Sequence, residues 1–206
     1  MQQNFEVEEY IQCPQCGYTL PLYVKYTKLV QCESCKSTIF LEDEAVKVWG
    51  DSSVLAKEVS ILELNQAFSY KNKRYLPIGK IRYSYGRGFW EEWWLIDDQG
   101  DAFWLSVDEG DLVLEKQIET PYDSHTFDEL SVGSLIDDGW VVTEIGGAKC
   151  EGFEGALPKE IEVGSLYRYI HLQGKDALFR TVEISSDKVE VYEGRWISPF
   201  DIQKVM

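Results

Sequence analysis

Two pairs of cysteines constrain the N-terminal part of the chain more than any other feature of the sequence. Cys13 and Cys16 form the first pair, Cys32 and Cys35 form the second, and fifteen residues separate the pairs. A two-residue gap lets both thiolates of a tight turn face one tetrahedral ion, and this separation is typical of a four-thiolate zinc ribbon. The sequence therefore predicts a small β-hairpin unit held by one zinc ion.

The role of such an ion follows from its ligands. Four thiolates leave no open coordination position, so we expect a structural zinc that supports a segment too small for its own core. Disulfides or redox thiols are the alternatives, but disulfides are rare in the cytosol and two equal pairs do not resemble a single redox motif. Cys150 has no nearby cysteine partner, and we expect it to be a buried apolar residue.

The charge balance makes some partners improbable. The chain has 36 acidic and 20 basic residues, for a formal net charge of -16, and a surface of this sign repels nucleic acid. The sequence begins without a positively charged leader, and no stretch approaches about 18 consecutive apolar residues. We therefore expect a cytoplasmic protein without a transmembrane segment and without a nucleic-acid partner.

The remainder of the chain has the sequence pattern of a β protein. Short aromatic and β-branched runs alternate with turn residues and predict antiparallel hairpins over 67–85, 89–107 and 176–194. Residues 151–165 contain three glycines and a proline, which predicts a long irregular connection. We expect a mainly β fold with little helix: a zinc ribbon over 1–50, a linker over 51–59, and an antiparallel β-rich domain over 60–206, built as a sandwich or a partly open barrel.

The hairpin over 89–107 contains the stretch FWEEWW, whose register can be predicted. If Gly100 adopts the left-handed conformation in the turn after Asp97, a three-residue loop pairs Asp97 with Asp101 and places Trp94 opposite Trp104. Alternation then divides the hairpin into two faces. The face predicted to join the core contains Phe89, Trp93, Leu95, Phe103, Leu105 and Val107. The other face contains Trp90, Glu92, Trp94 and Trp104.

Two interpretations of this second face are open. In the first, Trp94 and Trp104 pack together to close a sandwich or barrel, and Glu92 bonds to Arg82, Arg87 or another neighbour. In the second, the aromatic rings beside Glu92 bind a cation, because the face of a ring and a carboxylate both stabilise positive charge. An amine, or a lysine or arginine of a protein partner, would suit such a site.

Several strings in the β-rich part resemble the DUF4178 family of bacterial proteins. They are Tyr75-Leu-Pro-Ile-Gly79-Lys-Ile-Arg82-Tyr83, Trp90-Glu-Glu92-Trp93-Trp-Leu95, Gly100, Trp104-Leu105, Tyr167-Arg-Tyr169, Thr181-Val-Glu183 and Tyr192-Glu-Gly194. The resemblance covers about residues 60 to 200, with threonine at 181 where the family usually has serine. It implies an architecture preceded by a cysteine ribbon, and no activity. It also implies a membrane-stress or polyamine context, since the family's genes lie near those of small membrane proteins and polyamine aminopropyltransferase-like proteins.

The sequence favours binding over catalysis. No nucleophile beside a base, phosphate loop or carboxylate pair with histidine stands out, and His125 and His171 are expected in a surface loop and on a sheet face. The first hypothesis is a non-enzymatic adaptor that binds protein partners, membrane-associated ones among them. The second is a sensor that binds a small cation, such as a polyamine, on the Trp/Glu face. An enzyme is third, and would need a deep pocket holding Glu92, Glu183 or His171.

Overall fold

The computed structural model describes residues 5–25, 27–42, 45–48, 55–119, 122, 127–136, 139–185 and 188–205, without the side chains of residues 42 and 45–48. Strands make up 58% of the chain and helix 4%, which confirms the mainly β prediction. Among the described residues, helix is limited to 3-10 turns such as Lys175–Ala177 and Pro199–Asp201.

The strands are numbered in chain order. They are β1 (Glu9–Gln12), β2 (Thr19–Leu22), β3 (Leu29–Gln31), β4 (Thr38–Glu42), β5 (Ala45–Val48), β6 (Phe68–Tyr70), β7 (Lys73–Ser84), β8 (Phe89–Asp97), β9 (Ala102–Asp108), β10 (Asp111–Ile118), β11 (Leu135–Ile136), β12 (Trp140–Leu157), β13 (Leu166–Gln173), β14 (Leu178–Ser185), β15 (Lys188–Ile197) and β16 (Gln203–Lys204). In the described residues, no helix is long and apolar enough to span a bilayer.

Eight antiparallel strands close into a barrel. The order around it is β7-β8-β9-β10-β15-β14-β13-β12, and β12 pairs with β7 to complete the circuit. The sequence predicted a sandwich or a partly open barrel. The structure has a barrel, and this barrel is closed. Strands β16 and β6 extend the sheet beyond β7, and β3, β4 and β5 extend it beyond the end of β12.

The predicted hairpins are the pairs β6–β7, β8–β9 and β14–β15. In the second hairpin Trp94 lies opposite Trp104, and the Asp97 amide donates to the Asp101 carbonyl at 2.8 Å. Gly100 has φ 84°, which only glycine adopts at little cost. The observed pairing confirms the predicted register. The register could be predicted because this one turn determines it.

The predicted loop over 151–165 is wrong for its first half. Strand β12 continues to Leu157, and its last residues pair with β7 and β3. A Cβ on Gly155 would collide with the backbone of Ile78, and one on Gly79 would collide with the Ala156 carbonyl. Glycine at these two positions therefore permits the two strands to approach closely. Glycine in a sequence can thus mark a close contact within a sheet as well as a turn.

Both faces of the FWEEWW hairpin are buried. Trp93, Leu95 and Leu105 pack outside the barrel wall in a cluster with Phe68 and Tyr75 of β6 and β7. The opposite face contributes to a cluster that fills the barrel with residues of β7, β12, β13 and β15, among them Tyr83, Phe153, Tyr169 and Tyr192, and that also includes Phe40 of the ribbon. Phe89, predicted in the core, is 38% exposed because it lies at the start of β8.

The ribbon continues the barrel sheet. Val30 and Leu29 of β3 pair with Ala156 and Leu157 of β12, and the Lys28 amide donates to the Leu157 carbonyl at 2.8 Å. Residues 49–54 lie outside the described residues, and they include the first four residues of the predicted linker over 51–59. The division into 1–50, 51–59 and 60–206 therefore stays a prediction.

Candidate functional site

The four ribbon cysteines form one cluster. Their Sγ atoms all lie within 4.8 Å of one another, with 3.7 Å between Cys13 and Cys35 and 3.7 Å between Cys16 and Cys32. A tetrahedral ion with metal–sulfur bonds of about 2.3 Å places its sulfurs about 3.8 Å apart. The donor set and its geometry fit a four-coordinate metal ion, so the cluster could hold one.

Two matching turns bring these thiols together. The Gly17 amide donates to the Cys13 carbonyl at 2.8 Å, and the Lys36 amide donates to the Cys32 carbonyl at 2.9 Å. Gly17 has φ 74° and Lys36 has φ 63°, so the second turn adopts the same left-handed conformation without glycine. Hydrogen bonds with Ser37 lower the pKa of Cys35 to about 6, whereas burial raises the pKa of Cys32, so a bound cation would be needed to hold all four groups as thiolates.

The predicted Trp/Glu face lies inside the barrel. Glu92, Trp94 and Trp104 are 7%, 7% and 5% exposed, and Trp90 is half-buried. The Trp94 and Trp104 rings are 4.8 Å apart and tilted by 47°, as the packing interpretation expected. Glu92 accepts a hydrogen bond from Trp90 Nε1 at 3.1 Å.

The expected arginine partner of Glu92 binds its neighbour instead. Arg82 Nη2 lies 2.7 Å from Glu91 Oε1, and both side chains are almost fully buried. Glu91 faces away from the barrel interior, because successive side chains of a strand point to opposite faces. Arg82 therefore belongs to the outer wall, and Arg87 is exposed.

The four predicted residues divide between the two ends of the barrel. Trp90 and Glu92 line a cavity of about 350 Å³, which we call the mouth. Trp94 and Trp104 line a cavity at the other end, together with Lys159 and Tyr192. Aromatic side chains and carboxylates dominate the mouth, and Lys and Arg are absent from the described residues that line it. These are Tyr85, Trp90, Glu92, Ser106, Asp108, Asp111, Val113, Glu144, Tyr169, His171, Phe179, Thr181 and Trp196.

A hydrogen-bonded group fixes one wall of the mouth. The Tyr169 hydroxyl donates to Glu144 Oε1 at 2.8 Å, and His171 Nδ1 lies 3.0 Å from Glu144 Oε2. The bond from His171 lowers the pKa of Glu144. The His171 ring lies between Tyr169 and Phe179, at 4.8 and 5.0 Å between centroids. The wall is therefore rigid and aromatic.

The carboxyls of Glu92 and Glu115 lie deeper in the barrel than that of Glu144. Burial, followed by repulsion from Glu183, raises the pKa of Glu92 to about 7. Burial raises the pKa of Glu115 to about 8, although the Thr181 hydroxyl bonds to both of its oxygens, at 3.0 and 3.1 Å. Threonine at 181 thus provides the hydroxyl that serine would provide.

The other end of the barrel holds an ammonium of the protein itself. Lys159 Nζ lies 2.6 Å from Glu183, 3.8 Å from Glu190 and 5.4 Å from the Trp104 ring centre. Its side chain is 17% exposed. Burial alone would lower the pKa of Lys159, but attraction to Glu183 and the other anionic neighbours raises it well above its usual value.

Sequence reasoning missed several of these residues. Glu115 lies opposite Trp104 in the β9–β10 pair, so alternation would have identified it once β10 was known to follow β9. Lys159 follows Pro158 in an irregular segment, where no periodic signal exists. Of the three residues named for an enzyme, Glu92 and His171 share the mouth, whereas Glu183 lines the other end. His125 lies outside the described residues.

Comparisons with known proteins agree with the resemblance. The family model described as "Domain of unknown function (DUF4178)" matches residues 63–199, about two thirds of the chain. Searches of curated proteins and of solved structures return no significant match. The closed barrel is thus the architecture of the matched region, and the chain belongs to the DUF4178 family.

Proposed function

We propose that the barrel mouth binds a small organic cation that carries an ammonium group. The observation that carries the proposal is Lys159. At one end of the barrel, the chain places its own ammonium between a carboxylate and the face of Trp104. The mouth offers carboxylates beside aromatic rings, with no lysine or arginine among the described residues that line it, so an external ammonium would find there the kind of partners that Lys159 has at its own end.

The aromatic part of the mouth suits this ligand. Trp90 stacks on Tyr85 at 5.8 Å and meets Tyr169 edge-on at 5.2 Å between centroids. These contacts hold the Trp90 ring in place, so a ligand would not have to order it. The carboxylates Glu92, Asp108, Asp111 and Glu144 contribute negative charge around it.

The acceptors of the mouth favour a ligand with N–H donors. Carboxylates bind such donors through charge-assisted hydrogen bonds, and a quaternary ammonium has none to give. Glu92 lies opposite Ser106, and Asp108 follows two residues later on β9, about 7 Å nearer the rim. Two levels of carboxylate suit an aliphatic diamine or polyamine. A cavity of about 350 Å³ is large enough for the ten non-hydrogen atoms of spermidine, at roughly 30 Å³ each.

Calorimetry with spermidine tests the proposal. Glu92→Gln should weaken binding by about ten- to a hundredfold, because a hydrogen bond to a charged group contributes about 1.5–3 kcal/mol. Glu151→Gln is the matched control, since it removes an exposed carboxylate of β12 and should leave the affinity unchanged. Absence of binding by the unaltered protein, or equal affinity in the Glu92→Gln variant, would reject the proposal.

The adaptor role predicted from the sequence is compatible with the same site. A lysine of a protein partner carries the same ammonium and could enter the mouth as Lys159 enters the other end. Free amine would then compete with the partner. We propose no reaction, because Glu183 is bonded to Lys159 and lines a different cavity from Glu92 and His171, and no nucleic-acid partner, because the net charge is -16.

For the ribbon we propose a single structural zinc ion. Four thiolates with no open position are typical of zinc. Their persistence requires a reducing compartment, which supports a cytoplasmic location. A link to membrane stress or to polyamine metabolism remains a proposal that rests on the family resemblance.

A further inference from the structure

The deep carboxyl of the mouth forms no ion pair with a cation in the part of the chain that the structure describes. Glu92 is 7% exposed, and its hydrogen bond comes from the neutral indole of Trp90. Glu115, also inside the barrel, is bonded to the neutral hydroxyl of Thr181. Among the described residues, neither forms an ion pair with Lys, Arg or His. An ionised carboxylate in such surroundings is costly unless it is paired.

The nearest internal cation is already engaged. Lys159 bonds to Glu183 at 2.6 Å and lies 3.8 Å from Glu190, which also binds the exposed Lys188 at 2.6 Å. The ionisable groups that face Glu92 from the surrounding strands include more acids than bases. They are Glu115 of β10, Glu183 of β14, Glu190 and Tyr192 of β15, Tyr83 of β7, Cys150 of β12 and Lys159. Toward the rim, Asp108, Asp111, Glu144 and His171 complete the set.

We infer that the mouth exchanges a proton for its ligand: below neutral pH, Glu92 is a carboxylic acid in the empty barrel and loses its proton to solvent when an ammonium binds beside it. This inference rests on the proposed function. The charge beside Glu92 is conserved, because one ammonium group enters there and one proton leaves. The new carboxylate then accepts a hydrogen bond from the ligand nitrogen. Glu115 stays protonated and bonded to Thr181.

The pKa values of Glu92 and Glu115 support this exchange of a proton for the ligand. Burial raises the pKa of Glu92 to about 7 and that of Glu115 to about 8. At neutral pH Glu92 is thus close to half protonated, and a nearby ammonium lowers the pKa of a carboxyl. Alkylammonium groups stay charged below about pH 10. Binding should therefore tighten as pH rises from 6 to 8, by about tenfold for one group of pKa about 7.

Calorimetry in buffers of different ionisation enthalpy counts the protons released when spermidine binds. We expect release of about 0.9 proton per ligand at pH 6, about half at pH 7 and about 0.1 at pH 8, as for one group of pKa about 7. Glu115→Gln should leave this profile unchanged, because the amide resembles the protonated acid. Glu92→Gln should remove the release and the pH dependence from the weakened binding that remains.

His171 requires a separate variant, since imidazoles also titrate between pH 5 and 8. Release that persists in Glu92→Gln and disappears in His171→Gln would overturn the inference, as would binding without release at pH 6. In both cases the proposed function would stand. Absence of binding heat in every buffer would instead remove the proposed function itself.

Discussion

Replacing Cys13 and Cys16 together by serine should abolish metal binding and unfold the ribbon. The two serines remove half of a four-sulfur set whose atoms lie within 4.8 Å of one another. Structural zinc contributes apparent free energies of about 10–16 kcal/mol, and a segment as short as the ribbon has few other sources of stability. Elemental analysis should find about one zinc per unaltered chain and none in the variant.

Hydrogen exchange locates the effect. Amides of β3 and β4 should lose protection in the double variant, and those of β8, β9 and β14 should keep theirs, because the barrel closes without the ribbon. Cys150→Ala is the control, since Cys150 is buried in the barrel cluster and should leave the zinc content unchanged. A metal-free double variant with a fully protected ribbon would show that the cluster is not a structural metal site.

Replacing Lys159 by alanine should destabilise the barrel by about 3–5 kcal/mol. The change leaves Glu183 in a largely buried site without its cation and leaves Glu190 with Lys188 alone, and breaking one partner of a buried ion pair has a cost of this size. Lys204→Ala is the control. Its side chain is 63% exposed and pairs with Glu63, which is also exposed, and an exposed pair contributes about 1 kcal/mol or less. Urea unfolding of both variants measures the difference.

The same variant tests the chemistry that the proposed function assumes. Ethylammonium should restore part of the lost stability in Lys159→Ala, because it can enter the space of the missing side chain and donate to Glu183. Tetramethylammonium has no N–H donor and should restore less. Equal effects of the two salts, or equal effects on Lys204→Ala, would show that the Lys159 site does not select an ammonium.

The hairpins could be predicted because their signals are local. Asp97 to Gly100 determine one turn, and that turn fixes which residues of FWEEWW share a face. Likewise, the spacing of the cysteines identified the four-thiol cluster before any strand was placed. In both cases the interacting residues are close in sequence, or the chemistry of a single residue type brings them together.

The placement of the faces could not be predicted, because it depends on barrel closure. Closure requires β7 and β12 to pair across about seventy residues of sequence, and Gly79 and Gly155 permit that contact. Without it, Gly155 suggests a loop, and Glu92 could belong to an exposed face. No sequence pattern identified Lys159, because its role depends on the carboxylates that barrel closure brings around it.

A crystal structure of the protein grown with spermidine tests the central claim most directly. The account predicts the ligand in the mouth against Trp90, with one nitrogen within about 3 Å of the Glu92 carboxylate. A mouth without ligand at a concentration that saturates the calorimetric signal, with spermidine bound elsewhere on the chain, would contradict it.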